Sequence, residues 1–71
     1  MNKFNPAKLL SSKWTAVTPE GKEKHFMVTE VEYNEAGWVT TIELEALLTG
    51  RRIDLQWQDL KNADHWIQGW K

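Results

Sequence analysis

Apolar and polar positions alternate along most of this chain, and alternation with a period of two is the mark of half-buried β-strands. Four runs carry it: Trp14–Thr18, Lys24–Tyr33, Trp38–Leu47 and Arg52–Trp57, all rich in Val, Thr, Ile and aromatic residues. Turn signals separate them. Pro19-Glu20-Gly21 and Asn34-Glu35-Ala36-Gly37 suit four-residue turns closed by glycine, and Thr49-Gly50 suits a tight two-residue connection. Each turn predicts a register. The first pairs Trp14 with Met27 and Ala16 with His25. The second pairs Tyr33 with Trp38, Val31 with Thr40 and Met27 with Leu44. The third pairs Leu44 with Leu55, Ala46 with Ile53 and Ile42 with Trp57. Together they gather Trp14, Ala16, Met27, Val31, Tyr33, Ile42, Leu44, Ala46, Ile53, Leu55 and Trp57 on one face.

The ends of the chain read differently. Asn5 suits a helix N-cap, Pro6 the first helical position, and Ala7-Lys8-Leu9-Leu10 a short helix stopped at Ser11-Ser12. After Trp57, Gln58–Asn62 reads as a helical turn, and Ala63–Gln68 as a second one stopped by Gly69. The predicted fold class is therefore α+β. It is a four-stranded antiparallel β-meander, strongly twisted, with short N- and C-terminal helices and an SH3- or Tudor-like barrel as its closed form. Trp14–Thr18 and Arg52–Trp57 are its edge strands. Phe26 and Val28 fall on the opposite, mixed face, where the N-terminal helix or a bulge must cover them.

A chain of 71 residues is one domain, 1–71, and its core is marginal unless rich in large side chains. Five are tryptophan, and no cysteine is present to supply a disulfide or thiolate site. Net charge is −1, which gives no overall pull toward DNA or anionic lipid. No apolar run is long enough for a signal peptide or a membrane span, so the expectation is a cytoplasmic protein with no membrane association.

Two stretches carry a resemblance: Asn5–Val17 running on to Lys24–Val28, and the ending with Trp57, Leu60-Lys61, Trp66 and Gly69-Trp70-Lys71. They resemble a family of small tryptophan-rich bacterial proteins of unknown function. The resemblance implies a cytosolic bacterial protein and brings no activity, substrate or catalytic residue.

Candidate chemistry is sparse. His25 and His65 stand far apart with no Cys beside them, so no metal ligand set and no cofactor is expected. Ser11 and Ser12 lack a nucleophile elbow. Glu30, Glu32 and Glu43 crowd one end of the mixed face, as a solvated acidic stripe does. No catalytic residue is assigned, and the chain is expected not to be an enzyme. Trp14 and Trp57 read as core, and Trp38 as a cross-strand partner of Tyr33 at the sheet's edge, partly exposed. Trp66 and Trp70 have no settled structural need. With Trp38, Arg51, Arg52, Lys61 and Lys71 they form the candidate partner-binding set. The expected function is a non-catalytic module that binds a protein or peptide, as a monomer or weak dimer. The alternative is a single-stranded nucleic-acid accessory domain that uses the basic end of the sheet.

Overall fold

The computed structural model describes residues 2–71. The fold is nearly all-β. Strands β1 (Lys13–Glu20), β2 (Glu23–Tyr33), β3 (Val39–Ala46), β4 (Arg52–Gln56) and β5 (Trp66–Gln68) form one antiparallel sheet in the order β4-β3-β2-β1-β5. Among the described residues the helical elements are two 3-10 turns, η1 (Pro6–Lys8) and η2 (Trp57–Lys61). This corrects the α+β expectation of a four-stranded sheet flanked by helices. β4 and β5 are the two edges, so hydrogen bonds do not close the sheet into a barrel.

Both terminal helices fail for physical reasons. At the N-terminus the expected cap is present: Asn5 Oδ1 accepts from the Ala7 N–H at 3.0 Å, with Pro6 next. The chain then turns at Ser11, whose φ is +67°. The Ser11 N–H donates to Val28 O and the Val28 N–H donates to Ser12 O, so the segment joins the β2 ladder instead of continuing the helix. At the C-terminus, the meander alone would leave β1 an open edge. Trp66-Ile67-Gln68, rich in strand-forming side chains, fills it, pairing Ala16 with Trp66, Thr15 with Ile67 and Trp14 with Gln68. A helix of one or two turns makes too few hydrogen bonds to compete. Trp14–Thr18 is thus an interior strand, contrary to its expected place at an edge.

The registers also differ from expectation. The first turn is Gly21-Lys22, both at positive φ (+57° and +67°), the geometry of a type I′ hairpin. It pairs Glu20 with Glu23, yet farther along the ladder Trp14 stands opposite Phe26, not Met27. β1 beyond Thr15 then bulges, where Pro19 has no N–H to give a ladder. β2 bulges as well, between Val28 and Glu30, so that Val28 faces Leu44 and Val31 faces Ile42. Between β3 and β4 the connection is a longer loop closed by Gly50 N–H to Ala46 O at 2.7 Å and Ala46 N–H to Arg51 O at 2.8 Å. Its register, Ile42 to Leu55 and Leu44 to Ile53, slips by an even number of residues and keeps the expected faces.

The odd slip between β1 and β2 has the largest consequence. It turns Phe26 and Val28 inward and leaves Met27 half-buried on the other side. The core consists of Leu9, Trp14, Phe26, Val28, Ile42, Leu44, Ala46 and Leu60. Ala16, Val31, Ile53, Leu55 and Trp57 pack against it, as expected of that face. Leu9, Phe4 and Leu60 supply the cover, from η1, its flank and η2. The molecule measures 37 × 25 × 15 Å, and the thin axis has room for the sheet plus one layer of cover.

Candidate functional site

The C-terminal residues are used by the fold. Trp66 meets Phe26 edge-on, ring centroids 5.3 Å apart. The Trp70 indole N–H donates to Phe26 O at 3.0 Å, and Lys13 Nζ lies 4.8 Å from the ring centroid. Thr15 links the two strands: its hydroxyl donates to Gly69 O at 2.6 Å and accepts from the Lys71 N–H at 2.9 Å. His25 Nε2 sits 3.2 Å from Lys71 O. Thr15 is buried for this reason, a polar side chain with both its roles satisfied.

The cations are distributed rather than gathered. Arg51 grips Glu23 in a two-pronged ion pair, Nη2 to Oε1 at 2.7 Å and Nε to Oε2 at 3.0 Å, and Thr49 donates its hydroxyl to the same carboxylate. Arg52 reaches Glu45 at 3.1 Å, and Glu43 more distantly. Glu45 therefore faces Arg52, and Glu43 stands between like charges, Asp54 on β4 and Glu30 on β2. Lys61 Nζ lies 4.8 Å from the Trp57 ring centroid.

The hydrogen bonds from Arg51 and Thr49 hold the Glu23 carboxyl below its ordinary value of 4.5, against burial, which pushes it up. A depressed carboxylate stabilises the fold fully above its unfolded value and loses that contribution as pH falls through the lowered folded value. Wild-type melting temperature is thus expected to fall more steeply than that of Glu23→Gln as pH descends below 4.5. Parallel acid limbs in the two thermal melts would show that this pair carries no pH-linked stability.

At the opposite end of the sheet lies a different surface. Trp38 is 72% exposed and Tyr33 57%, the two most exposed aromatic rings of the core-face end. They line an open groove of about 460 Å³ with Trp57, Val39, Pro6, Ala7, Gly37, Asn5 and Gln58. That volume is in the range of small-ligand and peptide pockets, about 300–1,000 Å³. The turn holds Trp38 by its backbone. Asn34 Oδ1 accepts from the N–H groups of Ala36 and Trp38, each at 3.0 Å, while the Asn34 N–H donates to Trp38 O at 2.9 Å. Gly37, at φ +85°, completes the reversal. Tyr33 pairs with Val39, not with Trp38. Trp57 opens η2, anchored from within by an edge-on contact with Phe4 at 6.1 Å.

The groove exists because the core face outruns its cover. Tyr33, Val39 and Trp57 lie where β2 ends, β3 begins and β4 gives way to η2; Val39 and Trp57 are half-buried against the core and Tyr33 is exposed. Of the sequence-derived candidates, only Trp38 lines it. Arg51 and Arg52 are bound to carboxylates, Trp66 is docked on the sheet, Trp70 is docked there with 41% of its surface still exposed, and Lys61 caps a ring from outside. Tyr33, Trp57 and Pro6 were not among those candidates. The alternation of the two strands does place Tyr33 and Trp57 at the ends of the apolar face, and this is the signal that marks them. The depression beside η2, in contrast, is lined by Gln58, Lys61, Asn62, Ala63 and Asp64 and offers little apolar surface. The sheet edges are poor templates for an added strand. β4 carries exposed Arg52, Asp54 and Gln56, and β5 spans three residues.

A model of the family described as "Tryptophan-rich protein (DUF2389)" matches residues 12–71. No curated protein and no solved structure matches the chain.

Proposed function

The chain belongs to this tryptophan-rich family, and because membership brings no activity with it we propose from its surface a non-catalytic module that binds a protein or peptide in the Tyr33–Trp38–Trp57 groove. The observation that carries the proposal is the exposure of Trp38, 72%, on a turn that its own hydrogen bonds hold in place. A large ring kept in water by a fixed backbone costs solvation and gives nothing to the core, and such rings are typical anchors of interfaces. Four of the carboxylates are engaged within the fold. Glu23 is taken by Arg51, Glu32 by the Thr41 hydroxyl, Glu43 by the Thr29 hydroxyl and Glu45 by Arg52. Single-stranded nucleic acid at the basic end is less well supported, since Lys13 already lies over the Trp70 ring on which a base would stack. The module is read as cytoplasmic. Its lack of cysteine supports this, because small exported domains commonly rely on disulfides. Among the described residues no helix is long and apolar enough to cross a membrane.

Trp38→Ala tests the reading. Its unfolding free energy is expected to stay within about 0.5 kcal/mol of wild type, as for other exposed substitutions. Peptides selected from a random displayed library on the wild-type protein are expected to bind the variant at least about tenfold more weakly. Selected peptides that bind both proteins equally would place the interaction elsewhere.

A further inference from the structure

Resting on that reading, we infer that the occupant of the groove is a proline-rich segment of another protein in the polyproline II conformation. The argument is one of complementary chemistry. The lining residues include no Asp, Glu, His, Lys or Arg, so a charged anchor finds no full counter-charge among them. Three aromatic rings, Tyr33, Trp38 and Trp57, and the ring of Pro6 present flat apolar surface.

The polar groups are mainly donors. Among the described residues, intramolecular hydrogen bonds take up the indole N–H groups of Trp14 and Trp70, with Ser12 Oγ and Phe26 O as acceptors. Among the described residues those of Trp38, Trp57 and Trp66 and the hydroxyl of Tyr33 have no such partner, and of these Trp38, Trp57 and Tyr33 line the groove. A surface of rings and free donors calls for a ligand that is apolar, rich in acceptors and poor in donors.

A polyproline II segment meets each requirement. Its carbonyls make no internal hydrogen bonds and point outward, and proline has no N–H that would need an acceptor. Its rings pack against aromatic faces, and its stiffness lowers the entropy lost on docking. Other occupants fit less well. A helix has already spent most of its carbonyls on itself. An added strand needs a free ladder, yet the main chain at this end is engaged through Asn34 and Trp38.

The test is a titration with deca-proline, blocked at both ends, followed by indole N–H cross-peaks in a proton–nitrogen correlation spectrum. A proline-free apolar decapeptide is the control. The peaks of Trp38 and Trp57 are expected to move and those of Trp14, Trp66 and Trp70 to stay. Trp38→Ala should weaken the interaction at least about tenfold, and Tyr33→Phe, which removes only the hydroxyl, by about threefold or more. If millimolar deca-proline leaves Trp38 and Trp57 unmoved while library-selected peptides without proline move them, the polyproline inference is overturned and the peptide-binding module stands. If neither ligand moves them, both are overturned.

Discussion

Replacing Trp14 by alanine is expected to cost about 3–5 kcal/mol of stability, the range for emptying a buried aromatic site. The ring is 2% exposed, which leaves it almost no contact with water to recover. It meets Phe4 edge-on at 5.3 Å, and its indole N–H donates to Ser12 Oγ at 2.9 Å. Alanine removes roughly 150–250 Å² of buried surface and leaves a hole that Phe4 cannot fill without releasing Trp57. A chain of 71 residues has in total about 4–11 kcal/mol, at roughly 0.05–0.15 kcal/mol per residue. The loss is thus of the order of the whole, and the variant is expected to be largely unfolded at 37 °C. Urea unfolding followed by far-ultraviolet circular dichroism measures this without depending on the missing fluorophore. A cost below about 1 kcal/mol, the size of an ordinary surface change, would show that the ring is not core.

Leu60→Ala is the second large effect, at about 2–5 kcal/mol. Leu60 is fully buried, the one buried residue of η2, and η2 contributes the lid over the β3–β4 half of the core. Its loss should loosen more than its own site. The chain between η2 and β5 is short, so freeing η2 weakens the pairing of Trp66–Gln68 with β1. Amide exchange is expected to rise at Ile67, Trp66 and Val17, the last because its N–H donates to His65 O just before β5. Leu48→Ala is the matched control. Leu48 is 68% exposed, and its truncation should change stability by no more than about 0.5 kcal/mol. Equal effects of the two leucines would remove the structural role assigned to η2.

These two residues also show how far the sequence was legible. Trp14 is apolar in an alternating run and was assigned to the core on that ground. Leu60 belongs to the segment Gln58–Asn62 that reads as a helical turn, and η2 forms there. Strand β2 was harder. Phe26-Met27-Val28 is apolar at three consecutive positions, so alternation favours neither facing. The move of the turn to Gly21-Lys22 slips the register by an even number of residues and keeps the facing; the choice rests on the irregularity between Thr15 and Glu20, which no turn signal marks. The bulge in β1 shifts the ladder by an odd number of residues, and Met27 exchanges places with its neighbours. The candidate site was legible in part for a similar reason. Trp38 beside the Asn34 turn reads as partly exposed from its position alone. Pro6 and Trp57 reach the same groove from distant parts of the chain, and no local pattern brings them together.

By itself, the sequence determined that β1 to β4 are strands, where their turns lie to within a few residues, and which face of β3 and β4 is apolar. Backbone geometry alternates side chains with a period of two regardless of what the strand pairs with, so this information is local. The tertiary structure alone decided the register of β2 and the folding of Trp66–Gln68 onto β1 as a fifth strand. It also decided where the apolar face is left uncovered. Those outcomes depend on bulges, on an open strand edge in search of hydrogen bonds, and on how Leu9 and Leu60 pack against the sheet. Each is a competition between segments far apart in the chain, settled only when all of them are packed together.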